Sequence, residues 1–188
     1  MARKKAYEHH LNIITNENQH IANLLAYDAI AKLTTSIQNS KRIFFAGAGR
    51  TGLALKMAAM RFMHLGYEVY VMGETVTPAI LEGDLLIVGS GSGATSTLVT
   101  AGKKAKNQHA TLAVLTADSQ STLAQLADQS VLIPAAIKTD FGVSASQQYA
   151  GSLFEQSILL LFDAIFMTLW QESGLSKEDL WPKHANLE

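Results

Sequence analysis

The stretch Gly83-Asp84-Leu85-Leu86-Ile87-Val88-Gly89-Ser90-Gly91-Ser92-Gly93-Ala94-Thr95-Ser96 decides how this chain is read. Leu85 to Val88 is a short, unbroken apolar run with a turn on each side, the pattern of a strand buried on both faces. It ends in a glycine and serine loop, and a helical pattern reaching Asn107 follows at once. Glycine lets backbone approach a ligand without strain. Ser90, Ser92 and Thr95 supply hydroxyls, and a helix starting there points free N–H groups and its positive dipole end at the loop. Such a cradle suits a phosphate monoester. We expect those three hydroxyls, with the N–H groups of Gly91, Gly93 and Ala94, to hold one. A plain helix cap accounts for one hydroxyl but hardly for three beside three glycines.

Upstream, Arg42 to Ala46 reads as a strand, Gly47-Ala48-Gly49-Arg50-Thr51-Gly52 as a second glycine-rich loop, and Leu53 to Leu65 as a helix. This is G-x-G-x-x-G between a strand and a helix, so a dinucleotide has to be weighed. That reading needs an acid near the end of the next strand, Glu68 to Met72, and neither Glu68 nor Glu74 sits there. It also leaves the Ser90–Thr95 loop without a purpose, so a sugar phosphate is preferred. Further apolar runs predict strands at Thr111–Leu115 and Val131–Pro134, the latter an edge strand because it contains proline. Gly73 to Ile80 reads as a loop with at most a short helix, and Asp84 as a turn carboxylate. Residues 6–37 are helical in pattern, with Asn16 and Asn18 as candidate breaks, and a long apolar helix spans Gln148 to Glu172. Residues 135–148 are small, polar and irregular, the pattern of a mobile loop. Strands alternating with helices predict a parallel sheet, and both glycine loops follow strands, so both open onto one edge.

Hydrophobic residues make up 48% of the 188 and charged residues only 16%, which predicts apolar surface buried between subunits. The net charge of −1, without a basic patch, argues against a nucleic-acid partner. With no cysteine, disulfides and thiolate chemistry are excluded. The N-terminus has no apolar signal core, and no apolar run is long enough to cross a bilayer, so we expect a cytoplasmic protein with no membrane partner. His9, His10 and His20 lack a metal-binding spacing, and His64 reads as a helix-end histidine.

Glu155, in Gly151-Ser152-Leu153-Phe154-Glu155-Gln156, is an acid near the start of an otherwise apolar helix. Partial burial would suit it to be a general base. A carboxylate that simply complements the helix dipole fits the pattern equally well.

The segments GAGRTG (47–52), AMRFMHLG (59–66), GETVTPA (73–79), GDLLIVGSGSGAT (83–95), GSLFEQ (151–156) and HANLE (184–188) keep their order and together resemble the 6-phospho-3-hexuloisomerases. Those enzymes belong to the sugar isomerase (SIS) domain group. The resemblance runs from about Lys41 to Glu188, while the N-terminal helices match in character only. It implies an α/β fold: a single SIS domain over 41–188, with a five-stranded parallel sheet of flavodoxin-like type flanked by helices. The helical segment 1–40 would pack on that domain. It further implies a homotetramer that interconverts D-arabino-hex-3-ulose 6-phosphate and D-fructose 6-phosphate without metal or organic cofactor. That step belongs to the ribulose monophosphate pathway of formaldehyde fixation, with hexulose-phosphate synthase as the pathway neighbour.

By the same resemblance, Glu155 is the catalytic base. Thr51 matches the family's substrate-contacting Ser/Thr, with Gly49 and Arg50 beside it. Arg50 would bind substrate or hold a neighbouring carboxylate, with a slight preference for substrate. His184 matches the histidine near the family's C-terminus, serving either a neighbouring subunit's site or an interface. Many family members carry a charged residue where this chain has Ala94, so no side-chain role is expected there. Two other readings stay open: another SIS isomerase, acting on an arabinose or heptulose phosphate, and a non-catalytic module that senses sugar phosphates.

Overall fold

The computed structural model describes residues 2–140 and 146–187. In chain order the elements are α1 (Ala2–Leu24), α2 (Tyr27–Asn39), β1 (Ile43–Gly47), α3 (Gly49–Leu65), β2 (Val69–Val71), β3 (Leu85–Gly89), α4 (Ser96–Asn107), β4 (Thr111–Thr116), α5 (Thr122–Leu126), β5 (Gln129–Leu132), α6 (Ser152–Ser173) and α7 (Lys177–Leu180). The five strands form one parallel sheet in the order β2-β1-β3-β4-β5.

Each central strand is buried on both faces, and its side chains alternate between two cores. Ile43 and Phe45, Leu85 and Ile87, and Ala113 and Leu115 face a core shared with α2, α3 and α6. Phe44 and Ala46, Leu86 and Val88, and Leu112 and Val114 face a smaller core beneath α4 and α5. On the larger side, Phe45, Phe62 and Phe162 meet edge to face or tilted, with ring centroids 5.6 to 6.1 Å apart. Helix α6 packs there against α3. It is long and apolar enough to cross a membrane, contrary to the expectation from apolar runs alone, and half of that span is buried inside the protein.

Several boundaries differ from the sequence expectation. Asn16 and Asn18 do not break α1. The Asn18 amide donates to the Ile14 carbonyl at 2.8 Å and to Gln156 Oε1 at 2.7 Å, so its hydrogen bonds support the helix. The break comes at Leu25-Ala26, where the Tyr27 hydroxyl donates back to the Ala22 carbonyl. Helix α6 starts at Ser152 instead of Gln148 because Ala150 stands at φ 51°, in the left-handed region that a helix cannot pass through. Strand β5 lies two residues earlier than predicted, with its register set by Ala113 opposite Gln129, and it is the sheet edge. Gly73 to Ile80 holds no helix. Residues 141–145 of the predicted mobile loop lie outside the described residues.

Asp84 does more than close a turn. It is 2% exposed, takes Arg42 Nε at 2.9 Å and Nη2 at 2.5 Å, and accepts the Leu81 N–H at 2.7 Å. This fork clamps β1 to β3 at the edge opposite the glycine loops.

Candidate active site

The strand order reverses between β1 and β3, since the chain moves from β1 outward to β2 and then returns to β1's other side. In open α/β sheets ligands lie beyond the strand carboxyl ends at such a point. Both glycine-rich loops leave the sheet there. Gly52 lets α3 lie close on β1: a Cβ on it would come within 2.7 Å of the Gly47 carbonyl oxygen.

The β3–α4 loop is held from outside. Thr116 Oγ1 and the Ala117 N–H both donate to the Gly91 carbonyl, at 3.1 and 3.0 Å, and the Leu123 N–H donates to the Gly93 carbonyl at 2.9 Å. Ser90 is 4% exposed, and its hydroxyl lies 3.2 Å from that of Thr95. The Gly93 N–H is used inside the loop, donating to the Ser90 carbonyl at 3.0 Å, and the Ala94 N–H leans on Ser92 Oγ at 3.4 Å. Gly93 therefore shapes the turn. It sits at φ +57°, and a Cβ there would fall 2.0 Å from Ser121 Oγ. The N–H groups of Gly91, Ser92 and Thr95 have no acceptor among the described residues.

Across a cavity of about 170 Å³ from this loop stands Glu155. It lies in the first turn of α6, 7% exposed, with Phe154 beside it. Arg50, at the start of α3, brings Nε to 3.1 Å from Glu155 Oε2 and donates through Nη1 to Ser152 Oγ at 3.3 Å. This contact corresponds to the second of its two readings, in which Arg50 holds a neighbouring carboxylate. The cavity brings together Thr51, Ser90, Gly91, Ser92, Thr95 and Glu155, with Ala48, Gly89, Gly151 and Phe154 as bare or apolar wall. Gly49, Arg50, Gly93 and Ala94 do not line it: Arg50 reaches it only through Glu155, and Gly93 and Ala94 belong to the turn of the β3–α4 loop. Sequence reading missed Ile137, Lys138 and Thr139, which line the same cavity from the segment after β5. Their one signal was topological: that segment also leaves a strand's carboxyl end.

His184 lies elsewhere in this chain. Its ring stacks on that of His64 with centroids 4.0 Å apart, at the far end of α3. The stretch of helix between there and Arg50 is about 21 Å long at 1.5 Å per residue. His64 is 4% exposed with Nδ1 unpartnered, and burial, then His184 and Arg61, lowers its pKa below the ordinary 6.5. Glu74 pairs with Lys56 at 2.5 Å and Glu68 accepts from the Tyr70 hydroxyl at 2.8 Å, so neither acid serves a dinucleotide ribose. Among the described residues no cluster of His, Asp and Glu is arranged to hold a metal ion.

Residues 36–160 match the SIS domain. The chain belongs to the SIS domain family. Two relatives of this SIS domain carry the name 3-hexulose-6-phosphate isomerase. The one from Mycobacterium gastri is 48% identical over 95% of this chain and 89% of its own length. That from Bacillus subtilis (strain 168) is 41% identical over 93% of this chain and 95% of its own. Among solved structures, hypothetical protein MJ1247 from Methanococcus jannaschii superposes with a TM-score of 0.82 at 28% identity, covering 96% of this SIS domain and 99% of that chain. Its crystal structure was described as inferring a 3-hexulose-6-phosphate isomerase function.

Proposed function

We propose that this SIS domain is a 3-hexulose-6-phosphate isomerase, interconverting D-arabino-hex-3-ulose 6-phosphate and D-fructose 6-phosphate through a cis-enediolate. One observation carries the reading: a buried carboxylate, Glu155, faces a hydroxyl-rich loop at a helix N-terminus across a single small cavity. The names borne by full-length relatives at 48% and 41% identity support the same substrate.

The phosphate sits on the Ser90, Ser92 and Thr95 hydroxyls and the Gly91, Ser92 and Thr95 N–H groups, at the positive end of α4. The sugar chain then extends towards Glu155. The carboxylate removes the C2 proton of the 3-ulose, the electron pair forms the C2–C3 double bond, and the O3 carbonyl becomes an oxyanion. A proton passes from O2 to O3, the C2 carbonyl forms, and Glu155 returns its proton to C3. Arg50 orients the carboxylate, and Thr51, from the first turn of α3, contacts the sugar. No metal or organic cofactor enters these steps. His184 takes part only where a neighbouring subunit brings it to another chain's cavity, in a homotetramer.

We assign residues 1–40 to a helical segment that packs on a SIS domain of residues 41–188. The protein acts in the cytoplasm, in the ribulose monophosphate pathway, on the product of hexulose-phosphate synthase. Proton NMR of the protein with fructose 6-phosphate in D₂O tests the activity. Deuterium at C3 with growth of the 3-ulose is the expected result. Exchange at C1 alone identifies an aldose–ketose isomerase instead, and binding without exchange identifies a sensor.

A further inference from the structure

We infer that Lys138 is a catalytic residue of this site, the cation that receives negative charge on O2 and O3 of the enediolate. The inference rests on the isomerase reading and names a group that reading leaves unassigned. Lys138 reaches the cavity wall from the segment after β5. Its stem lies along bare backbone: Cγ is 3.5 Å from where a Cβ on Gly151 would stand, and Nζ is 3.5 Å from the same position on Gly49. The side chain thus runs from the start of α6 to the start of α3. It is exposed, and its ammonium has no carboxylate partner among the described residues.

Helix N-termini are positive, so a cation beside two of them is disfavoured until an anion arrives. The one carboxylate lining the cavity, Glu155, is already paired with Arg50. A phosphate dianion has its own cradle on the β3–α4 loop, across the cavity. Lys138 stands on the other side, where Glu155 Oε1 lies 3.9 Å from the place a Cβ on Gly151 would take. The charge that appears there is the enediolate. When Glu155 takes the C2 proton, O3 becomes negative; the proton then moves from O2 to O3 and the charge passes to O2. A fixed ammonium beside both oxygens stabilises each form, and nothing is consumed. Preformed donors aimed at developing charge act on the transition state more than on bound substrate.

The test compares wild type with Lys138→Met and Lys138→Arg, following turnover and C3 exchange with fructose 6-phosphate. Lys138→Met is expected to lose about 100-fold or more in kcat, with KM within about threefold and slower C3 exchange to match. Lys138→Arg should regain at least about tenfold, because it restores the charge with a different donor geometry. Thermal melting should match wild type in both, and if the Met variant unfolds, Lys138→Gln is judged by the same criteria. Unchanged kcat overturns the assignment. A rise in KM alone also overturns it, making Lys138 a phosphate contact. A wild-type protein inert towards both ketose phosphates overturns the isomerase reading and this role with it.

Discussion

The Glu17 carboxylate accepts a 2.7 Å hydrogen bond from the Ser146 hydroxyl, joining α1 to the segment that leads into α6. It also accepts the Gln147 N–H at 2.7 Å and the Gln148 side-chain amide at 2.9 Å. Gln148 in turn accepts from Gln156, whose carbonyl takes the Asn18 amide. Gln156 is the residue after Glu155, so this polar chain from α1 ends one position from the base. Replacing Glu17 with Ala is expected to cost about 1–2 kcal/mol by loss of charge-assisted hydrogen bonds. It should also lower kcat while leaving KM for fructose 6-phosphate near wild type. Urea unfolding and steady-state rates check the two parts separately. Burial opposes the Glu17 charge, but the bonds from Gln147, Gln148 and Ser146 outweigh it and hold the carboxyl below its ordinary 4.5. This contribution is therefore complete above the ordinary value and is lost as pH falls through the lowered one.

Glu155→Gln keeps the shape of the side chain and removes the base. We expect kcat to fall about 10³-fold, within the usual range for general-base loss. Binding of fructose 6-phosphate, measured by calorimetry, should change little. Equal losses of binding and turnover would show that Glu155 holds substrate instead of moving its proton.

Asp84→Ala acts at the opposite edge of the sheet. It leaves the Arg42 guanidinium half-buried beside Phe44 and the Leu81 N–H without its acceptor. The expected destabilisation is about 3 kcal/mol, the low end for breaking such a pair because Arg42 keeps some water. Activity per folded molecule should match wild type, read from unfolding curves and active-site titration.

The stacked histidines predict a pH effect. The lowered pKa of His64 means that the folded state keeps it neutral where the unfolded chain would take up a proton. Its contribution is complete above about pH 6.5 and declines as pH falls below that value. Arg61 and Lys183 add positive charge nearby, and His184 faces the ring directly. Melting temperature should drop between about pH 7.5 and about pH 5.5, and His64→Phe should flatten that slope. An unchanged slope in the variant would assign the pH effect to other groups.

The centre of the sheet was legible because β1, β3 and β4 are built on unbroken apolar runs, and a strand buried on both faces leaves little else for Leu85–Val88 or Thr111–Leu115 to become. The β3–α4 loop was legible for a related reason: three glycines and three hydroxyls between a strand and a helix have few other uses. Ile137-Lys138-Thr139 gave no such signal. The segment has no periodicity, and its place at the cavity depends on how far β5 carries the chain. The Glu17 network was equally hidden, since it joins residues about 130 positions apart through side chains that look like an ordinary solvated helix face. The start of α6 was misplaced because Ala150 adopts a left-handed conformation that its residue type does not announce.

Gly93 and Ser121 occupy one small volume from two loops, with the serine hydroxyl where the glycine's Cβ would be. Enlargement at either position is therefore felt at the other. A larger residue at 93 would need position 121 to become smaller and would still be strained at φ +57°, and a bulkier residue at 121 would press on the turn that shapes the cradle. The shape of the phosphate cradle therefore depends on a residue of the β4–α5 connection that does not itself line the cavity.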